Sequence, residues 1–278
     1  MREIPRARLP PLLRAIHDPP KKLYVRGDDT DVLDRKAVAI VGARACSAYG
    51  SQVARMLGRE LAAAGAVVVS GMARGVDGEA HRGAVEAGGV TVAVLGCGID
   101  RDYPAAHAEL ARRICERGLV VSEYEPGVEP APWRFPARNR IIAGLCAATV
   151  VVEARERSGA LITADFALEE GREVLAVPGE ITSSLSAGTN ALLRLGATPV
   201  TSAADVLEAV GLEAAQSEGR SVDGVAAAVL AALPGGPDDV ARTTGLDAAE
   251  VAAALAELEL DGLVAGGDGT YRPLQPVR

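Results

Sequence analysis

Arginines stand in turns that follow separate apolar segments of this sequence. Arg44 comes directly after the apolar run of residues 38–41. Arg74 comes after a second run, residues 66–70, and the Arg-Asn-Arg run of residues 138–140 follows a long loop rich in proline. Backbone N–H groups in turns that lead into helices bind phosphate, and arginine adds a forked cation. The chemistry that this pattern predicts is the binding of a polyanion through its phosphate groups.

The turn that carries Arg44 also has the residues that open a helix. Gly42 lets the chain turn where a side chain would clash, and Ser47 is a candidate N-cap for the helix that follows. The dinucleotide motif G-x-G-x-x-G is absent, because Ala43 and Ser47 stand where it needs glycine. This turn therefore predicts a phosphate site without the usual NAD pattern, and no cofactor is predicted.

Glycines shape two further turns. Gly71 and Gly75 lie on either side of Arg74, and Ser158-Gly159 begins a turn that runs into a helix through Thr163. Ser158 or Thr163 either binds a phosphate or only caps that helix, and capping is the commoner outcome.

Each basic residue also has a structural interpretation. Arg44 alone is compatible with a surface arginine, and Arg74 with an ion pair to Asp77. For Arg138 and Arg140 the alternative is a solvated helix start. That alternative is weaker, because cations are disfavoured at a helix N-terminus unless an anion is present.

Scarce aromatic residues lie beside the third basic run. Phe135, Trp133 and Tyr124 belong to the predicted loop of residues 123–136, in a chain with only 3% aromatic residues. Aromatic rings beside arginine stack the unpaired bases of a single strand. For Phe135, packing in the core is an equally good interpretation.

The pattern does not favour catalysis or metal binding. Ser70, Asp77 and His81 invite comparison with a catalytic triad, but the G-x-S-x-G nucleophile elbow is absent. His81 also follows Asp77 by four residues on one predicted helix, so we expect a core or helix-surface histidine. The cysteines are scattered without a C-x-x-C pair, which predicts reduced thiols and a cytoplasmic protein without a metal site; they are Cys46, Cys97, Cys115 and Cys146.

Apolar strands alternate with amphipathic helices from residue 38 to about residue 208. This alternation predicts an α/β fold with a doubly wound parallel sheet, whose ligands lie beyond the carboxyl ends of the strands. The predicted strands are residues 38–41, 66–70, 90–95, 119–122, 149–153 and 173–177. The predicted division of the chain is an N-terminal arm at 1–36, an α/β domain at 37–210, a linker at 211–220 and a winged helix at 221–278.

Charge separates the two predicted domains. The whole chain has a net charge of −8, but residues 221–278 hold nine acidic residues and three arginines, a net −6, and residues 1–200 carry about +1. A recognition helix needs basic residues to contact phosphates, and residues 247–260 contain none. The winged helix is therefore not expected to be the main DNA-binding element. No apolar run reaches membrane-spanning length, and the arginine-rich start predicts no signal peptide, so no membrane association is expected.

Long motifs in a fixed order carry a specific resemblance. They are Val-Gly-Ala-Arg (41–44) with Tyr49-Gly50, Ser-Gly-Met-Ala-Arg-Gly-Val-Asp (70–77) with Ala80-His81, Phe-Pro-x-Arg-Asn-Arg-Ile-Ile-Ala-Gly-Leu (135–145), Val-Glu-Ala (152–154) with Ser-Gly-x-Leu-Ile-Thr-Ala (158–164), Gly-Arg-Glu-Val-x-Ala-Val-Pro-Gly (171–179) and Gly188-Thr189-Asn190. The sequence resembles the DNA-processing protein A (DprA, also called Smf) family over residues 23–208. Its tail resembles the winged helix of that family.

This resemblance implies a Rossmann-like domain that binds single-stranded DNA and forms a homodimer. It also implies that the protein protects incoming DNA, loads RecA recombinase during natural transformation, and catalyses no reaction. The helix predicted at residues 190–195 is a candidate dimer contact. The residues predicted to contact DNA are Gly42, Arg44, Ser47, Gly71, Arg74, Gly75, Phe135, Arg138, Asn139, Arg140, Ser158, Gly159 and Thr163.

The alternative to a DNA-binding protein is an enzyme. The same layout resembles the nucleotide phosphoribohydrolases, in which a Gly-Gly-x-Gly-Thr turn and a downstream Glu handle a nucleoside monophosphate. Residues 158–163 stand in the comparable place, but the second glycine is absent and Glu153 precedes the turn. A third interpretation is a structural adaptor, which would require the basic turns to be paired with acidic residues of the chain itself.

Overall fold

A largely parallel sheet dominates the computed structural model, which describes residues 1–213, 224–260, 263–267 and 269–273. In chain order its strands are β1 (Arg2–Pro5), β2 (Lys22–Arg26), β3 (Ala37–Val41), β4 (Val67–Ser70), β5 (Thr91–Leu95), β6 (Leu119–Ser122), β7 (Ala148–Val151), β8 (Glu173–Ala176) and β9 (Thr198–Pro199). Their order in space is β1-β2-β6-β5-β4-β3-β7-β8-β9. Along this spatial order, every pair of neighbouring strands from β6 through β3 to β9 is parallel.

The winding of this sheet reverses at β3. From there β4, β5 and β6 follow on one side, and β7, β8 and β9 follow on the other. The pair β3–β7 is therefore the topological switch point, where doubly wound sheets bind ligands at the carboxyl ends of their strands. The predicted doubly wound sheet is confirmed.

Helices cover both faces of the sheet. They are α1 (Pro11–Arg14), α2 (Ala48–Ala63), α3 (Val76–Glu86), α4 (Ala108–Ile114), α5 (Arg134–Leu145), α6 (Gly159–Glu169), α7 (Ala187–Arg194) and α8 (Ala203–Ala209). Short 3-10 helices occupy Arg6–Arg8, Thr30–Asp34 and Ala105–His107.

The central strand β3 is buried along its whole length because helices pack on both faces. Val38 and Ile40 belong to the core that includes Leu57 of α2. Ala39 and Val41 point to the opposite face, in the core that includes residues of α5. This two-sided burial explains why the sequence of β3 is an unbroken apolar run.

The N-terminal segment, predicted as an arm at 1–36, contributes two strands to the sheet. β1 pairs antiparallel with β2, and β2 pairs antiparallel with β6. The segment has few apolar residues, but Leu23 and Val25 of β2, which lies between β1 and β6, are fully buried.

The predicted end of the loop at residue 136 is wrong. α5 begins at Arg134 and therefore includes Pro136. Proline is tolerated in a first turn, where its missing N–H would have had no partner in the helix. Arg138 and Arg140 consequently lie beyond the first turn of α5, where the argument from the charge of a helix start does not apply.

The chain forms two units, Met1–Ala215 and Gln216–Arg278. The described part of the second unit has α9 (Gly224–Ala231), α10 (Pro237–Thr244), α11 (Ala248–Leu260) and an antiparallel hairpin of β10 (Val264–Gly267) and β11 (Thr270–Pro273). Three helices around an apolar core, followed by a hairpin, confirm the predicted winged helix. The predicted linker at 211–220 lies mostly outside the described residues, and the predicted domain limits stay predictions. In the described ranges, no helix is long and apolar enough to cross a membrane.

Candidate nucleic-acid interface

A narrow cleft lies at the carboxyl edge of the sheet, beside the switch point. The turns after β3 and β4 form one wall, and the first turns of α5 and α6 form the other. The predicted site residues that line this cleft are Arg44, Phe135, Arg138, Asn139, Gly159 and Thr163. The fold therefore brings together residues that are more than 100 positions apart in the sequence.

The N-terminus of α2 holds an anion that belongs to the protein itself. Ser47 caps the helix as predicted, since its hydroxyl oxygen accepts a hydrogen bond from the N–H of Gly50 at 3.0 Å. The N–H and hydroxyl of Ser47 donate to the two carboxylate oxygens of Glu153, at 2.9 and 2.5 Å. Glu153 is only 4% exposed. The free donors that the sequence predicts for a phosphate at this turn are thus occupied by Glu153.

The N–H groups of the turn before α3 are occupied in a similar way, by Asp77. Its carboxylate accepts hydrogen bonds from the N–H groups of Gly71 and Ala73, at 3.2 and 3.3 Å. Burial raises the pKa of Asp77, while the nearby Arg138 guanidinium and these two N–H groups lower it. Both helix starts that the sequence offers to phosphates therefore carry buried carboxylates of the chain.

Arg138 is a buried residue of the cleft floor. It is 4% exposed, and its guanidinium donates to the carbonyl oxygens of Gly71, at 2.7 Å, and of Val94. Burial lowers the pKa of Arg138 to about 10, against the opposing effect of the Asp77 carboxylate, so the side chain stays protonated at neutral pH. A Cβ atom on Gly71 would lie 2.6 Å from Arg138 and 2.7 Å from Asp77, which explains why residue 71 is glycine.

Arg44 and Arg74 are exposed cations on the turns after β3 and β4, and Arg44 lines the cleft. The Arg44 guanidinium lies 5.2 Å from the centre of the Phe135 ring. Within the described residues, neither arginine forms an ion pair; Asp77, the partner expected for Arg74, faces Arg138 instead. The two turns touch, because a Cβ atom on Gly75 would lie only 2.3 Å from the carbonyl oxygen of Ala43. Arg44 and Arg74 therefore belong to one surface.

Arg140 and Asn139 make contacts inside the protein. Arg140 forms ion pairs with Asp18 at 2.8 Å and with Glu123 at 2.7 Å. The side-chain amide of Asn139 donates to the carbonyl oxygen of Gly159 at 3.1 Å, which joins α5 to the start of α6. Their direct contact with DNA stays a prediction, but the structure gives both residues a role in fixing the cleft.

The start of α6 is the open end of the cleft. Ser158 caps the helix through the N–H of Ala160 at 3.3 Å, and Thr163 is buried. No atom lies within 4 Å of the position where a Cβ on Gly159 would stand, so the backbone here is accessible. Arg155 and Arg157, two exposed residues in the loop after β7, were not among the predicted site residues. Their position after a strand, next to a glycine turn, is the sequence pattern that would have found them.

Tyr103 is a second residue that the sequence did not reveal. Its ring stacks on Phe135 with ring centres 5.4 Å apart and an angle of 25° between the planes. Phe135 is half-buried and Tyr103 is 43% exposed. An arginine and two aromatic rings thus form a continuous stacked group beside the cleft.

The buried polar residues behind the cleft are structural. The hydroxyl of Ser70 donates to the carbonyl oxygen of Ile40 at 2.6 Å. His81 is fully buried against the Thr91 hydroxyl at 2.7 Å, and burial lowers its pKa to about 3. His81 is thus a neutral core residue, which is one of the two interpretations that the sequence allows. Among the residues that the structure describes, no group of His, Cys, Asp and Glu side chains is arranged to hold a metal ion.

A cleft lined by Arg44 and Arg138 at the switch point of a doubly wound sheet, in a chain that also carries a winged helix, defines an α/β protein with a candidate anion-binding site. Comparison with known families specifies the class further. The family model for DNA recombination-mediator protein A matches residues 3–211, and that for the DprA winged helix domain matches residues 213–270. The chain belongs to the DprA/Smf family, which confirms the resemblance inferred from its motifs.

Individual relatives agree with this assignment. The putative DNA processing protein DprA of Mycobacterium tuberculosis is 47% identical over 257 residues, which cover 88% of this chain and 66% of the relative. The chain therefore spans about two thirds of the length of that curated relative.

Two solved structures resemble this chain. DNA processing protein A from Streptococcus pneumoniae has a TM-score of 0.69 and 47% identity, over 72% of this chain and 70% of that one. DNA processing protein A from Helicobacter pylori, whose structure describes single-stranded DNA binding, has a TM-score of 0.66 and 35% identity, over 72% and 91% of the two chains.

Proposed function

We propose that this chain binds single-stranded DNA along the cleft at the switch point. The observation that carries the proposal is the pair of exposed arginines, Arg44 and Arg74, on two touching turns at this edge. Within the described residues these two cations have no ion-pair partner, unlike Arg140. An exposed cation without a partner is available to bind a phosphate and release its counterions.

The aromatic side chains give this site its preference for a single strand. Phosphates bind Arg44 and Arg74, and an unpaired base stacks on the group formed by Phe135 and Tyr103. A duplex keeps its bases inside the helix and cannot use these rings. Arg155 and Arg157 extend the positive surface toward the open start of α6.

The biological role rests on family membership. The proposed role is to protect incoming single-stranded DNA in the cytoplasm and to load RecA recombinase onto it during natural transformation. The H. pylori relative supports the DNA part of this proposal, since its structure concerns single-stranded DNA binding.

A homodimer is part of the same proposal. Leu195, at the end of α7, is 85% exposed, and Leu168 of α6 is 56% exposed. α6 and α7 border one groove, to which Ile162 and Leu195 contribute exposed apolar side chains, and such a surface is typical of one that another subunit covers. The predicted contact at residues 190–195 is therefore extended to α6, although Leu192 itself is buried in the core.

The proposal assigns no catalysis to the chain. Glu153, the acid that precedes the turn compared with that of the nucleotide phosphoribohydrolases, is buried and bound to Ser47. Incubation with AMP is expected to release no free base. Release above the level of an Arg44→Ala control would favour the enzyme instead.

Salt dependence of binding tests the proposed contacts. Removal of one contact between the protein and a phosphate of a single strand lowers the slope of log K against log salt by about 0.7. Arg44→Ala and Arg74→Ala are each expected to weaken binding of an oligothymidine and to reduce this slope by about that amount.

Arg113→Ala is the matched control. Arg113 is an exposed arginine in the last turn of α4, and α4 leads back to the amino end of β6, at the opposite edge of the sheet. Its replacement is expected to leave the affinity and the slope unchanged. Equal behaviour of all three variants would refute the proposed site.

A further inference from the structure

A second group of aromatic and cationic side chains lies beside the first. The Arg134 guanidinium lies 4.8 Å from the centre of the Trp133 ring and 5.2 Å from the centre of the Tyr124 ring. We call these three residues the Trp133 cluster. Trp133 is 63% exposed and is the sole tryptophan of the chain. Such exposure of the largest apolar side chain needs a reason other than core packing.

The Trp133 cluster adjoins the cleft. Arg134 and Phe135 are consecutive residues of the first turn of α5, and both approach Gly96. A Cβ atom on Gly96 would lie 2.8 Å from the Phe135 ring and 3.4 Å from the carbonyl oxygen of Arg134. The Trp133 cluster is therefore joined to the Phe135 ring through the backbone at the start of α5.

The loop that leads to the Trp133 cluster is fixed in place. The N–H of Gly98 donates to the carbonyl oxygen of Val128 at 2.8 Å, and the N–H of Gly127 donates to the Asp100 carboxylate at 2.9 Å. Arg134 also donates to the carbonyl oxygen of Glu129. A ring held in place before binding loses little conformational entropy when a ligand stacks on it.

The charge around the Trp133 cluster favours an anionic ligand. The carboxylate of Glu129 pairs with Arg101 at 2.7 Å, and that of Glu123 pairs with Arg140 at 2.7 Å. Neither carboxylate pairs with Arg134, which keeps its positive charge between two rings. A cation that lies against two aromatic rings and has no ion-pair partner within the described residues fits a base and its phosphate better than an apolar protein surface.

We propose that the Trp133 cluster is a second base-stacking subsite for single-stranded DNA, next to the one at Phe135 and Tyr103. This inference rests on the proposed function of the cleft and adds to it a binding residue, Trp133, outside the predicted site. A base of the bound strand stacks on the exposed indole, and Arg134 binds the adjoining phosphate.

The sole tryptophan makes this subsite directly observable. Binding of an oligothymidine to the full chain is expected to quench the fluorescence of Trp133, because a stacked base contacts the indole. An abasic oligonucleotide of the same length has the same phosphates without bases, and it is expected to bind more weakly and to leave the fluorescence unchanged.

Two substitutions separate stacking from charge. Trp133→Ala is expected to bind oligothymidine roughly 5- to 150-fold more weakly, the range for removal of one stacked base, with an unchanged salt slope. Trp133→Phe keeps a ring and is expected to retain most of the affinity. Thermal unfolding of both variants checks that this exposed substitution leaves the fold intact.

The outcomes distinguish this inference from the proposed function. Oligothymidine binding without quenching, together with full affinity of Trp133→Ala, would overturn the subsite. The proposal that the cleft binds single-stranded DNA would be unaffected. If Trp133→Ala and Trp133→Phe lost affinity equally, stacking on an aromatic ring could not be the cause of the loss, and the subsite would also be overturned. Absence of any binding by the unsubstituted chain in a gel shift would refute both.

Discussion

Replacement of Arg138 by methionine is expected to destabilise the first unit strongly. Methionine keeps most of the apolar volume but removes the only guanidinium that faces the buried Asp77 carboxylate within the described residues. Breaking a buried charge pair by removing one partner costs about 3–5 kcal/mol. The carbonyl oxygens of Gly71 and Val94 also lose their side-chain donor. Arg138 and Asp77 interact without a direct ion pair among the described residues, so we expect a decrease in the free energy of unfolding near the lower end of that range.

Acid is expected to reduce the effect of Arg138→Met. Burial already raises the pKa of Asp77, and the guanidinium that opposes this shift is gone in the variant. A carboxyl group whose pKa is higher in the folded than in the unfolded state destabilises the protein most above both values. This destabilisation is relieved as the pH falls through the folded pKa. The difference between the variant and the original chain should thus be larger at pH 7.5 than at pH 5.

Urea denaturation followed by circular dichroism measures this difference at both pH values. The control is Asp77→Asn combined with Arg138→Met, which removes the buried charge. It should regain part of the missing stability, and most of the pH dependence should disappear. A variant Arg138→Met within about 1 kcal/mol of the original chain, the size of one ordinary hydrogen bond, would refute the buried pair.

The remaining predictions concern other parts of the chain. Burial holds the pKa of His81 near 3, below its unfolded value, so stability is lost as the pH falls below about 6.5, by roughly 1 kcal/mol per pH unit. His81→Gln should weaken this pH dependence in urea denaturation. A chain that ends at residue 220, without the acidic winged helix, should bind oligothymidine as tightly as the full chain or more tightly in a gel shift. Leu195→Glu should lower the mass measured by light scattering from a dimer toward a monomer, because it places a charge on an exposed apolar surface.

Each of these predictions has a result that contradicts it. An unchanged pH dependence in His81→Gln would mean that other groups cause the acid sensitivity. A folded, dimeric chain ending at residue 220 with most of its affinity gone would show that the winged helix binds DNA despite its net charge of −6. A Leu195→Glu chain with the mass of an unaltered dimer would move the proposed interface away from α7, and a monomeric original chain would reject the dimer.

Local patterns are sufficient to predict the framework of the site. The apolar run of β3 and Gly42 after it specify a buried strand and a tight turn from neighbouring residues alone. Ser47 as a helix cap also follows from local chemistry, and the structure agrees.

Long-range interactions explain what local patterns leave open. Glu153 reaches Ser47 across 106 residues, and no local pattern indicates that this carboxylate takes the donors at the start of α2. Arg138 is buried because the carbonyl oxygens that accept its hydrogen bonds belong to Gly71 and to Val94 of β5, which only the folded sheet brings together. Tyr103 reaches Phe135 in the same way, through tertiary structure.

The helix start at Arg134 escapes prediction for a different reason. Proline usually marks a loop or the end of a helix, and the pattern around Pro136 favours that interpretation. Pro136 lies in the first turn of α5, where proline is compatible with a helix. Because the helix begins earlier than predicted, Arg138 lies on the floor of the cleft and not at an exposed helix start.

One measurement tests the central claim most directly: equilibrium binding of the full chain to a single strand and to a duplex of the same sequence, each over a series of salt concentrations. The cleft with Arg44, Arg74 and stacked aromatic rings predicts tighter binding of the single strand at every concentration, with log K falling linearly with log salt. Equal or tighter binding of the duplex, or no binding of the single strand at low salt, would contradict the claim that this cleft binds single-stranded DNA.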